Sequence, residues 1–176
     1  MMIIMRDRPL RIVTAVAAYD GHDASVLALN RALLAGSRRV EVIYLGFNMG
    51  SDRIASAALQ ENADAVAISS YNGGHLQFFP FLSGRLAAAG MGETLVFGGG
   101  GGTINGEDAR ILEKAGVEKI YGPGWPLDAI AGDMSGRMAA RRGPLPCRAH
   151  PPPDHGGAWR RGVPGGFKWV AGEGGR

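Results

Sequence analysis

The chain has 176 residues, of which 45% are hydrophobic and 20% charged, and 29 are glycine. This is a globular composition with room for one core, and it excludes a wholly disordered chain. The net charge of +3 is uneven: residues 141–176 hold seven Lys and Arg against Asp154 and Glu173, leaving residues 1–140 at −2. The basicity therefore belongs to the end of the chain and does not mark the rest as a nucleic-acid binder.

Residues 141–176 also hold six of the ten prolines and nine glycines, without helical or strand periodicity. They are expected to form a disordered Pro/Gly/Arg-rich tail beyond a folded domain at 10–135. Its arginines are scattered among prolines, and no RNA-binding module surrounds them. No apolar run reaches the ~18 residues of a membrane span, and Met1 to Met5 is too short for a signal segment before Arg6 and Arg8. The cytoplasm is the expected compartment, and neither a membrane nor a nucleic acid is an expected partner. Cys147 is the one cysteine, so neither a disulfide scaffold nor a structural zinc site fits.

The elements follow in chain order. RIVTAVAA at 11–18 reads as a buried strand that stops at Tyr19-Asp20-Gly21. Val26, Leu29 and Leu33 recur at helical spacing between Ala24 and Ala35, and Gly36 ends the helix. Val40 to Leu45 is a second strand. Ser51 is expected to cap a helix through Gln60. Asp64 to Ser69 is strand three, His75 to Ala89 a helix, and Thr94 to Phe97 strand four before five glycines. Asn105 caps a helix that ends near Gly116, and Val117 to Tyr121 is strand five. Strand and helix alternate with short connections, which predicts a doubly wound α/β domain with a five-stranded parallel sheet. Ligands of such sheets sit at the carboxyl ends of the strands, where strand order reverses.

Three unusual loops converge there: DGHD at 20–23, SSYNGGH at 69–75 and the glycines at 98–102. The glycine run lacks the lysine of a phosphate-binding loop, and DGHDAS after strand one is no dinucleotide fingerprint. Close approach of backbone to something large and flat remains. A lone loop histidine is more often a satisfied surface or core residue than a ligand. Asp20, two residues before His22, can nevertheless accept the Nδ1 proton and aim Nε2 outward, as partners of metal-binding histidines do. One histidine does not hold zinc, but it can be an axial ligand to a metal already held in a macrocycle.

These three segments, in this order and at these strand ends, resemble the cobalamin-binding domain of the adenosylcobalamin-dependent acyl-CoA mutases, methylmalonyl-CoA mutase and the fused isobutyryl-CoA mutases above all. The resemblance runs from about Arg11 to Pro126 and implies a flavodoxin-like domain. It implies that His22 replaces the cofactor's own base below cobalt, with Asp20 as its hydrogen-bond partner. It brings Gly21, Asp23 and Ser25 to the cofactor, with Ser25 standing where the family's D-x-H-x-x-G motif ends in glycine. Ser69 takes the serine of the family's S-x-L motif, and Tyr71 stands in place of its leucine. Gly98, Gly99, Gly100 and Gly101 would line the slot for the displaced nucleotide tail. Gly73, Gly74, Tyr121 and Gly122 complete the implied set. His75 reads equally as a peripheral contact or as a helix N-terminal residue, and no residue is assigned a catalytic role.

In that family acyl-CoA occupies a separate barrel, for which 176 residues have no room. The resemblance therefore implies adenosylcobalamin as cofactor and a large mutase subunit or a barrel domain as partner, with a GTPase chaperone as a further one. A corrinoid carrier for methyl transfer shares the fold and the D-x-H motif, though such proteins bring a helical domain ahead of it. A non-catalytic cobalamin-binding module would need an output domain. Trp159 and Trp169 are unusual in a flexible linker, and they favour a longer fused enzyme that has lost its reading frame near Ala140. On that expectation, sequencing the DNA beyond those codons finds an alternative frame that continues into a GTPase-like domain and a mutase barrel.

Overall fold

The computed structural model describes residues 8–37 and 39–142. Among them, five strands alternate with five helices: β1 (Leu10–Val16), α1 (Ala24–Gly36), β2 (Val40–Tyr44), α2 (Ser51–Glu61), β3 (Ala65–Ser69), α3 (His75–Ala88), β4 (Leu95–Gly99), α4 (Gly106–Lys114), β5 (Lys119–Tyr121) and α5 (Leu127–Arg141). All neighbouring strands are parallel, in the order β2-β1-β3-β4-β5. This is the doubly wound, flavodoxin-like sheet that the alternation predicts, with its switch point between β1 and β3.

The strands read as continuous apolar runs because both faces of the sheet are buried. Odd and even residues serve different cores. Ile12, Ala65, Ala67, Leu95, Phe97 and Tyr121 pack with Leu33 of α1 and with Ile130, Met134 and Met138 of α5. Val13, Val66, Ile68, Val96 and Ile120 pack on the opposite face with Ile54 of α2, Phe79 and Leu82 of α3, and Leu112 of α4. Among the described residues no helix is long and apolar enough to cross a membrane.

The local signals act mostly where the sequence places them. Asn105 caps α4, its side-chain oxygen accepting the Glu107 and Asp108 N–H groups at 2.8 and 2.9 Å. Ser51 is instead the first helical residue of α2, and Gly50 takes the cap position. Strand β4 runs on through Gly98 and Gly99, which pair with Ile68 and Ser69 on one side and with Ile120 and Tyr121 on the other.

The largest correction is α5. The expected domain boundary at 135 cuts through this helix, whose Ile130, Met134 and Met138 follow helical spacing into the core. Asp133 and Arg137, paired with each other, anchor it to β5 and to the residue before it. Tyr121 Oη donates to Asp133 Oδ2 at 2.7 Å, while Arg137 donates to Asp133 and Glu118 at 2.9 and 2.7 Å. Burial pushes the Tyr121 phenol well above its ordinary value, and Asp133 pushes it further. Burial would also raise the Asp133 carboxyl, but Tyr121 and Arg137 hold it below the usual range. Beyond the helix, Arg142 donates to Asp64 at 2.7 Å and to the carbonyls of Arg8 and Pro9 at 2.7 and 2.8 Å. Arg141 and Arg142 thus belong to the domain rather than to the tail. The rest of the expected tail lies outside the described residues.

Met138 is fully buried. Met138→Ala is expected to cost about 2–5 kcal/mol, the usual range for emptying a core position. Urea unfolding of the two proteins checks it.

Candidate functional site

At the switch point the chain leaves β1 toward α1 on one face and leaves β3 toward α3 on the other, so a gap opens between two loops. Asp20 fills it and is nearly inaccessible. Its Oδ1 accepts the His22 backbone N–H at 3.0 Å and lies 2.7 Å from His22 Nδ1. Its Oδ2 accepts the Tyr71 N–H from the loop after β3. Burial alone would raise this carboxyl, but the bonds from His22 and Tyr71 outweigh it and hold Asp20 below its ordinary value. An ionised carboxylate only accepts, so Nδ1 donates to it, and in the neutral imidazole this leaves the Nε2 lone pair for a ligand. The His22 side chain is 76% exposed.

Beside this rim lies a cleft of about 260 Å³. Ala67, Ser69, Phe97, Gly99 and Tyr121 form its floor, all from the sheet face that α1 and α5 cover. Ser25, Val26 and Leu29 of α1 form one wall, and Leu127, Ile130 and Met134 of α5 form the other. The α5 wall is the part of the site that the sequence reading misses, and the spacing of Ile130, Met134 and Met138 is the signal that carries it. Trp125, set edge-on to Tyr121, was missed as well.

The predicted residues divide into three groups. Ser25, Ser69, Tyr71, Gly98, Gly99, Gly100, Gly101, Tyr121 and Gly122 line the cleft. Asp20, Gly21, His22 and Asp23 form the rim ahead of α1, where Asp23 Oδ2 accepts a bond from Tyr44 Oη at 3.3 Å. Gly73 and Gly74 stand apart from the cleft, at the start of α3. His75 is buried with Nε2 3.0 Å from Asp108 Oδ2, so it joins α3 to α4 and does not face the rim.

Most of the glycine run has a reason within the protein. A Cβ on Gly98 would stand 2.5 Å from Ile120 Cδ1 and 2.6 Å from Phe79 Cζ, on the face away from the cleft. One on Gly100 would stand 2.1 Å from the Ser70 carbonyl oxygen, and one on Gly101 2.1 Å from Tyr71 Oη. Only Gly99, in the row with Ser69 and Tyr121, matches the idea of a side chain left out to make room in the cleft.

These features fit a cobalamin. A single oriented imidazole suits a metal whose equatorial positions are already filled. A cleft of this size suits one flat group of a larger ligand rather than the whole of it. Asn30 Oδ1, buried and without a hydrogen-bond partner among the described residues, lies on α1, which forms one wall of the cleft. The profile of the B12 binding domain matches residues 10–130. The chain belongs to that family.

Among the relatives of this B12-binding domain, the fused isobutyryl-CoA mutase of Paraburkholderia xenovorans (strain LB400) is 53% identical over 116 residues, covering 66% of this chain and 9% of the relative. The chain thus spans about a tenth of such fused relatives. The 2-hydroxyisobutanoyl-CoA mutase small subunit of Aquincola tertiaricarbonis is 31% identical over 137 residues, covering 78% of this chain and 98% of the relative. A cobalamin-binding protein from Desulfitobacterium hafniense DCB-2 shares the fold with a TM-score of 0.61 at 18% identity, over 74% of this chain and 59% of that one.

Two substitutions separate cleft from fold. Leu29→Trp on the α1 wall is expected to weaken cobalamin binding at least about tenfold while the domain stays folded, since it fills space without moving backbone. Gly100→Val is expected to destabilise the domain itself by about 1–3 kcal/mol, because its Cβ meets a carbonyl that cannot swing away. Titration with cobalamin and urea unfolding distinguish the two.

Proposed function

We propose that this chain is the cobalamin-binding component of an adenosylcobalamin-dependent acyl-CoA mutase, acting with a separate catalytic component that binds the acyl-CoA. That component is a large subunit or the barrel of a fused enzyme. The observation that carries the reading is the His22–Asp20 pair standing beside the α1/α5 cleft. The likeness to mutase small subunits, which in Aquincola tertiaricarbonis covers nearly the whole relative, supports it.

When bound, adenosylcobalamin supplies a cobalt–carbon bond whose homolysis drives carbon-skeleton isomerisation. The residues of this chain bind and orient it. His22 would hold the cobalt through Nε2 in place of the cofactor's own base. Asp20 keeps the proton on Nδ1 and the imidazole aimed outward. Ser69 and Gly99, on the floor between α1 and α5, would hold the displaced tail. Gly21 and Asp23 would shape the loop ahead of α1, and Gly73 and Gly74 the loop after β3 that carries Tyr71. A GTPase chaperone is a further proposed partner, and the cytoplasm the proposed compartment.

The test is spectroscopic and uses the full chain. With cob(II)alamin bound, electron paramagnetic resonance is expected to show splitting by one axial nitrogen, altered by ¹⁵N-histidine labelling. His22→Ala is expected to abolish that signature. An unchanged spectrum in His22→Ala overturns the reading. The chain alone is expected to show no mutase turnover, and turnover should appear only on adding a large subunit.

A further inference from the structure

Tyr71 lies where three loops meet. Its N–H donates to Asp20 in the loop after β1, and its carbonyl accepts from Thr103 Oγ1 in the loop after β4 at 3.3 Å. Its ring lies 5.5 Å from the His22 ring, centre to centre, with the planes tilted by 36°. Its hydroxyl occupies the space that a Cβ on Gly101 would need. The ring therefore reaches from His22 to Gly101 along the wall of the cleft.

His22 needs such a neighbour. The bond to Asp20 fixes one nitrogen, but a single hydrogen bond leaves the imidazole free to turn about it. With the side chain 76% exposed, no core packing stops that motion. The Tyr71 ring closes off one flank, and its own backbone is tied on both sides. An aromatic face does this without offering a competing hydrogen bond to Nε2.

We infer that Tyr71 is a positioning residue for the bond between His22 and the metal, acting through its ring. The inference rests on the reading of His22 as the axial ligand. Tyr71 sets the plane of the imidazole and so keeps the Nε2 lone pair along the bond. Neighbours that orient a metal-binding histidine commonly contribute about tenfold or more to affinity.

The experiment uses the full chain loaded with cob(II)alamin, with axial-nitrogen splitting, cofactor affinity and circular dichroism as readouts. Tyr71→Phe is expected to match the parent. Tyr71→Leu is expected to lose a large part of the nitrogen-split population and about tenfold in affinity, with an unchanged dichroism spectrum. Gly101→Ala displaces the hydroxyl and is expected to act in the same direction. Added to Tyr71→Leu it is expected to lower stability, through the left-handed backbone at Gly101, without a further loss of splitting, because its clashing partner is then absent. Should Tyr71→Leu fail to fold, Tyr71→Met decides in its place. Parental splitting and affinity in Tyr71→Leu, or a Tyr71→Phe as impaired as Tyr71→Leu, overturns the inference while His22 stands as ligand. Splitting that survives in His22→Ala overturns both readings.

Discussion

One buried carboxylate holds the rim together. Asp20 joins the loops after β1 and β3 through its side chain, and its backbone carbonyl accepts the Asn48 N–H from the loop after β2 at 3.1 Å. A carboxylate this deep is costly unless donors surround it. Here the donors come from loops that diverge to opposite faces of the sheet, so ionising Asp20 and closing the switch point are one event. His22 benefits without being buried: it is exposed to a ligand yet held by a residue that is not. Preorganisation of this kind removes the ordering cost of binding from the histidine and places it in the folding of the domain.

The cleft is made differently, by omission. On the face covered by α1 and α5, the sheet presents Ala67, Ser69 and Gly99 where the other face presents Ile68 and Val96. Small residues lower the floor, and two helices spread over it leave a gap at the carboxyl end. The opposite face carries α2, α3 and α4 over larger side chains, and Phe79 reaches into the space left by Gly98. The two faces are therefore not equivalent at the carboxyl end: β3 and β4 finish in Ser69 and Gly99 toward the cleft, while the space at Gly98 on the other face is filled by Phe79 and Ile120.

Much of this was legible in the sequence. The strands, four of the helices, the parallel sheet and the Asp20–His22 contact follow from short-range signals: apolar runs, helical spacing, a cap at Asn105 and a two-residue separation. Helix α5 was not read, because Gly132, Gly136 and its charges dilute a pattern that rests on Ile130, Met134 and Met138. The glycine run was read with one cause where the structure has several. Gly98 yields to Phe79 and Ile120, Gly100 to the Ser70 carbonyl and Gly101 to Tyr71. Each of those neighbours is distant in the chain, so local spacing carries no trace of them.

The missed helix and the site are in the end the same matter. Without α5 the floor of Ala67, Phe97 and Tyr121 is an open apolar face, and the cleft loses the wall of Leu127, Ile130 and Met134. The anchors of α5 stand at both ends of the sheet: Arg142 on Asp64 just ahead of β3, and Asp133 on Tyr121 at the carboxyl end of β5. Tyr121 is both an anchor of the helix and part of the cleft floor, so the packing that closes the fold also shapes the slot. The rim depends on hydrogen bonds to one carboxylate, while the cleft depends on apolar contacts along a helix that ends beyond residue 135. A domain cut at that residue would keep His22 and the wall residues Leu127, Ile130 and Met134, but lose Met138, Arg137 and Arg142, which hold that wall on the sheet.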